Sequence, residues 1–145
     1  MTLATTAHTA TPVSAIESLL RKFVAGDPAL MTYMAPDIDF RIDHFHDEAD
    51  VSWQVGKGLA DIATILTRLG TEVFPKGTEA LSISTQPLPQ EGWMLTTFEQ
   101  KFFYGVRGRM CTSATLILSH EADGKVDFFR ETVTNVVDCP DTPAI

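Results

Sequence analysis

The chain has 145 residues, 44% of them hydrophobic and 21% charged, a composition that suits one folded domain and excludes a disordered chain. Asp and Glu total 19 against 11 Lys and Arg, for a net charge of -8. That balance repels phosphate backbones and anionic lipids, so no nucleic acid and no membrane is expected as a partner.

Residues 1–11 (MTLATTAHTAT) have neither a basic start nor a continuous apolar core and read as a loose arm. No run approaches the roughly 18 apolar residues of a membrane span. A single α+β domain is expected over 12–138, with 139–145 as a tail. Two cysteines, Cys111 and Cys139, are too few for a disulfide framework. They fit a strand position, a tail position and a reducing cytoplasm.

The first helix is expected over Ser14 to Val24, where Ile16, Leu20, Phe23 and Val24 share one stripe. Ser14 and Glu17 have capping-box spacing, and Gly26 ends the helix. Asp27 and Pro28 open a second short helix, which Pro36 stops. Asp37 to His46 then alternates, with Phe40, Ile42, His44 and His46 on one face and Asp39, Arg41 and Asp43 on the other. A short return strand, Val51 to Val55, precedes a third helix from Leu59 to Leu69. From Leu81 the period becomes two. Four strands are expected, Leu81 to Gln86, Trp93 to Tyr104, Met110 to Ser119 and Val126 to Val137, joined by short Gly- and Pro-bearing turns into an antiparallel meander.

Three places can carry chemistry. His44 and His46 stand two apart on a strand, so both imidazoles face one side. They could hold a metal, act as a general base, or rest on hydrogen bonds and water at a strand end. A metal needs a third ligand, which would have to come from Glu131, His120 or a neighbouring carboxylate. Glu131 lies between Phe129 and Val133 on one face of the last strand. There it is either a desolvated acid–base group or a partner of Arg130. Gln100 shares a face with Phe98 and Phe102 and either orients a ligand or is a half-exposed amide. The opposite face of that strand holds Trp93, Leu95 and Phe103, which a partner subunit would cover. Glycine spacing for a phosphate loop, GxSxG and CxxC are all missing from the sequence.

The element order resembles the cone-shaped fold shared by nuclear transport factor two, ketosteroid isomerase, limonene epoxide hydrolase and SnoaL-like polyketide cyclases. The matching marks are Ala25-Gly26-Asp27, Met34-Ala35-Pro36-Asp37, Gly58 through Ile62, and Gly124-Lys125-Val126-Asp127-Phe128-Phe129-Arg130-Glu131. Together they cover about residues 13 to 137. The resemblance implies three N-terminal helices packed on a curved, mainly antiparallel sheet around a pocket. It places limonene epoxide hydrolase's catalytic aspartate at Glu131, one methylene longer here. That enzyme's water-positioning tyrosine and asparagine fall on Phe40 and Ile42. The isomerase's base falls near Ile42 and its oxyanion aspartate near Leu116, so neither mechanism is expected in its familiar form.

The pocket implied is lined by Phe40, Ile42, Phe98, Leu116 and Phe129, with His44, His46, Gln100 and Glu131 as polar groups. Such a site suits a small hydrophobic molecule. The leading expectation is a cofactor-free acid–base enzyme, an isomerase, cyclase, dehydratase or hydrolase, with Glu131 and His44 catalytic and a homodimer formed through the sheet. The alternatives are a non-catalytic binding or dimerisation module of the same fold and a cupin-like metal site on His44 and His46. The last is disfavoured by Ile38 and Asp50 where that pattern wants glycine and glutamate.

Overall fold

A computed structural model describes residues 14–44 and 54–139. Helix α1, Ala15–Ala25, starts where the capping spacing puts it: the Ser14 hydroxyl accepts from the Glu17 N–H at 3.3 Å. A second, tertiary cap comes from Glu121, whose Oε1 accepts from the Ala15 N–H at 2.9 Å. Ile16, Leu19 and Leu20 are buried on the inner stripe. Gly26 closes the helix at φ 68°, a left-handed conformation open to glycine at no steric cost.

The second helix expected is a six-residue 3-10 turn, Pro28–Tyr33, with the Asp27 Oδ1 accepting from the Ala29 N–H at 2.9 Å. Six residues are too few for a stable α-helix, and the sheet takes the chain over at Met34. Strand β1, Met34–His44, thus begins before Pro36 rather than after it. Its pairing slips between Met34 and Asp39, where proline has no N–H to give. Strand β2 is Gln54–Lys57, antiparallel to β1 with Asp39 opposite Lys57. The third helix, α2, spans Gly58–Arg68 and runs directly into a π turn, Leu69–Val73. Of the three helices expected, two are full α-helices among the described residues.

The meander follows as β3 (Thr78–Pro87), β4 (Trp93–Tyr104), β5 (Arg109–Ala122) and β6 (Lys125–Asp138). The sheet order is β2-β1-β6-β5-β4-β3, antiparallel throughout except for the parallel β1–β6 pair. It is an open sheet with two edge strands, not a cupin barrel. Register slips at Leu81, Asp127 and Thr134 add bend and twist to the strands. The helices cover one face, where Ile16, Ile38, Ile62, Phe98, Ile117 and Val126 are fully buried. The π turn is tied to the end of β4: Gly105 donates to the Val73 carbonyl at 3.0 Å, and a Cβ at Gly105 would collide with the Glu72 carbonyl.

Candidate functional site

The side chains between helices and sheet do not close on one another. They leave a cavity of about 70 Å³. That is several times the ~10–15 Å³ one water needs. From the helical side the lining is wholly apolar, with Leu19, Leu20, Phe23, Leu66, Leu69 and Phe74 among it. Leu69 and Val73 of the π turn and Phe74 just after it also line the space.

The sheet side differs. Phe40 and Phe129 stack with centroids 4.5 Å apart and planes 9° apart, and Phe98 and Ile42 complete an apolar floor. Across it lie Gln100 from β4, Ser113 and Thr115 from β5, and Glu131 from β6. Gln100 is 4% exposed and is held by Thr78, whose hydroxyl donates to Oε1 at 2.7 Å. Thr115 donates to the Phe98 carbonyl at 3.3 Å. Tyr104 lines the space too and is hydrogen-bonded or otherwise engaged by its neighbours.

Glu131 is the one carboxylate of the lining, and the lining holds no Lys, Arg or His among the described residues. By surface area Glu131 is half-buried, and it lines the cavity. Desolvation pushes its pKa from 4.5 up to about 7, against a smaller lowering by hydrogen bonding from Thr115. Arg130 does not neutralise it. That guanidinium lies on the other face, 3.4 Å from Asp39 and 4.6 Å from the Phe128 ring centre.

Of the residues the sequence suggested, Phe40, Ile42, Phe98, Gln100, Phe129 and Glu131 come together around this space. Leu116 does not. It is 43% exposed on the outer face, because Ile117 takes the inward position opposite Glu131 and alternation turns Leu116 away. The backbone of His44 pairs with Val133, two positions beyond Glu131, but its side chain and all of His46 lie outside the described residues. His120 faces outward, with Nδ1 2.7 Å from Asp127 and its ring 4.9 Å from that of Trp93, so it is no ligand partner for Glu131. No group of three metal-binding side chains occurs among the described residues. Ser113 and Thr115 were missed. The parity of β5 could have found them, since Cys111, Ser113, Thr115 and Ile117 alternate onto one face.

No family model and no curated protein sequence matches the chain. Solved structures do. A provisionally named polyketide cyclase from Xanthomonas campestris pv. campestris is 12% identical at a TM-score of 0.66, over 81% of this chain and 86% of that one. A protein of unknown function with a cystatin-like fold from Xanthomonas campestris is 20% identical at 0.63, over 85% and 92%. TerC, co-crystallised with polyporic acid, is 18% identical at 0.61, over 81% and 86%. The likeness is one of fold. The chain has a cystatin-like α+β fold with a six-stranded mixed sheet. No helix among the described residues is long and apolar enough to cross a membrane.

Proposed function

We propose that this chain is a cofactor-free acid–base enzyme acting on a small, uncharged, mainly hydrophobic molecule held between helices and sheet. One observation carries the reading: a lone carboxyl in an apolar cavity, with a pKa raised to about 7. Such a group can accept a proton and return it near neutral pH. Glu131 takes a proton from an acidic C–H of the substrate and gives it back at a second position, which balances for an isomerisation or cyclisation. The same proton delivered to a leaving hydroxyl gives a dehydration, and the reverse gives addition of water. Phe40, Ile42, Phe98 and Phe129 hold the hydrocarbon, and Gln100, pinned by Thr78, offers its amide N–H to a substrate oxygen. We assign His44, next along β1 from Ile42 on the same strand parity, as the second proton carrier. The fold shared with a provisionally named polyketide cyclase and with TerC, crystallised with polyporic acid, supports a small-molecule ligand.

A second reading follows from a specific fact: among the described residues Glu131 is the one titratable carboxylate or imidazole in the lining. A cavity with a single such group can bind without turning over. Glu131→Gln separates the two. With circular dichroism unchanged, a loss of about a hundredfold or more in turnover supports catalysis; unchanged turnover assigns the chemistry elsewhere. We also propose a homodimer through the outer face of β4 and β5, where Trp93, Leu95, Leu116 and Leu118 stand without helical cover.

A further inference from the structure

An apolar cavity of about 150 Å³ is what a single benzene ring takes, and the space here is about 70 Å³. A ring-sized molecule therefore enters only if part of the wall gives way, and the parts are not equally free to do so. Gln100, Ser113, Thr115 and Glu131 stand on β4, β5 and β6, each with a hydrogen-bonded strand on both sides. That wall is fixed. Helix α1 is held at both ends, by Ser14 and Glu121 at its first turn and by Gly26 and Asp27, which donate to its last carbonyls.

The remaining wall is the π turn with Phe74 after it. Gly70, Thr71 and Glu72 face solvent, while Leu69, Val73 and Phe74 line the cavity. Among the described residues a single backbone bond joins this stretch to the sheet, from the Gly105 N–H to the Val73 carbonyl at 3.0 Å. Phe74 bridges α1 and β4, its ring edge-on to Phe23 at 5.4 Å and to Phe102 at 4.7 Å. Just beyond, the chain rests on the sheet again, with Lys76 Nζ 4.3 Å from the centre of the Phe103 ring.

The π turn also supplies a second shape. Its closing bond runs from the Phe74 N–H to the Leu69 carbonyl at 2.7 Å, five residues back. If that N–H bonds the Gly70 carbonyl instead, four residues back, the turn becomes ordinary α-helix and keeps its internal bond. One residue of α-helix is about 100° of turn, so the shift carries the Phe74 ring away from Phe23 and Phe102. Only the Gly105 bond and the ring contacts are given up.

We propose that Leu69–Phe74 is the door of the cavity: it opens when the π turn rewinds into α-helix, and Phe74 is its latch. Its use as an entrance rests on the reading of this space as a ligand site, but the opening belongs to the empty protein and is measured there. Hydrogen exchange of the wild-type chain is the first test. Gly105, whose amide loses its acceptor in the open form, should exchange about a hundredfold or more faster than the paired amides of β5, with little dependence on dilute urea, the mark of local opening. Exchange as slow as in β5, with the same urea dependence, overturns the proposal.

A thiol planted in the cavity reads access. Ser113→Cys is labelled with N-ethylmaleimide, whose ring is too large for the closed space, and the parent chain with Cys111 and Cys139 serves as the blank. Adding Phe74→Leu, which keeps an apolar side chain and removes the ring contacts, should speed labelling at position 113 about tenfold. Ile38→Val, a fully buried change outside the cavity wall, should not. Equal acceleration by both means entry by global unfolding, and no acceleration by Phe74→Leu means entry elsewhere; either sinks the door. If the door behaves as expected while Glu131→Gln leaves turnover untouched, the door stands and the catalytic reading falls.

Discussion

The two faces of β5 are reversed relative to ordinary sheet chemistry. Its inner face presents Cys111, Ser113, Thr115, Ile117 and Ser119, three of them hydroxyls in the most buried layer of the protein. Its outer face presents Met110, Thr112, Ala114, Leu116, Leu118 and His120, with Met110 and Leu116 exposed. A strand selected for stability alone would put the leucines in and the hydroxyls out. The inversion fits the proposed function, with a ligand's polar groups within and a second copy's apolar surface without. Both claims can be broken separately.

The largest effect expected concerns the inner face and Glu131. Its folded-state pKa of about 7 lies above the ordinary value of 4.5, so the native state holds the proton more tightly than the unfolded chain. Below about pH 4.5 both states are protonated and burial carries no charge penalty. As pH rises towards 7 the native carboxyl must either keep its proton or ionise in apolar surroundings, and stability falls. Through this window the loss should be about 3 kcal/mol, from a shift of about 2.5 units at 1.36 kcal/mol each. Urea denaturation at pH 5 and pH 8 should show it, and Glu131→Gln should flatten it. An equal slope in both proteins would place the carboxyl in water and remove the reason for reading the inner face as a site.

Next in size is a change on the outer face. Leu116→Glu puts a charge into the apolar patch with Leu95 and Leu118. If a second copy covers that patch, association should weaken by about tenfold to a hundredfold, or ~1.4–2.8 kcal/mol. Sedimentation at micromolar concentration should then move from twice the chain mass towards the chain mass, with the melting of the monomer unchanged. A wild-type protein that sediments as a monomer across this range leaves the leucines without a partner.

The contrast also marks what the sequence could disclose. Strand β4 runs from Trp93 to Tyr104 as its alternation predicts, and the Ser14 cap, the Gly26 stop and the inward parity of Phe98, Gln100 and Glu131 were all legible. These are local signals, a period or a cap within a few residues. β5 was harder because Leu116 and Leu118 are more apolar than Ser113 and Thr115, so hydropathy favours the wrong face. Only the register, with Ile117 opposite Glu131, decides it. The parallel pairing of β1 with β6 joins residues some ninety positions apart, and no local pattern encodes it. The π turn at Leu69–Val73 was equally hidden, because a widened turn has almost the same spacing as the helix it continues.

A smaller effect should sharpen the inner face. The Thr115 hydroxyl lowers the Glu131 pKa and also donates to the Phe98 carbonyl, so its one proton has two acceptors. Thr115→Val keeps the shape and removes the donor. The Glu131 titration, followed by carboxyl carbon NMR, should move upward from about 7 by up to about one unit, while Thr115→Ser should restore it. An unchanged titration in the valine variant would mean that burial alone sets the value.

The smallest effect compares two serines of the same strand face. Ser119 is 1% exposed between Met94 and Phe129, and its hydroxyl is buried with no partner among the described residues. Ser113 shares its parity, but it opens into the cavity, where water or a ligand can reach it. The two alanine variants should therefore differ. Removing the Ser119 oxygen abolishes a desolvated, unmade hydrogen bond and leaves only a small void, so Ser119→Ala should be neutral or stabilising by up to ~1 kcal/mol. Ser113→Ala should leave the stability of the empty protein within about 0.5 kcal/mol and alter ligand binding instead. Paired urea titrations of the two variants read the comparison. If Ser119→Ala destabilises by more than about 1 kcal/mol, that hydroxyl has a partner after all, such as a buried water. The polar inner face of β5 would then be explained by internal hydrogen bonding there, and only Ser113, Thr115 and Glu131 would remain to argue for a ligand.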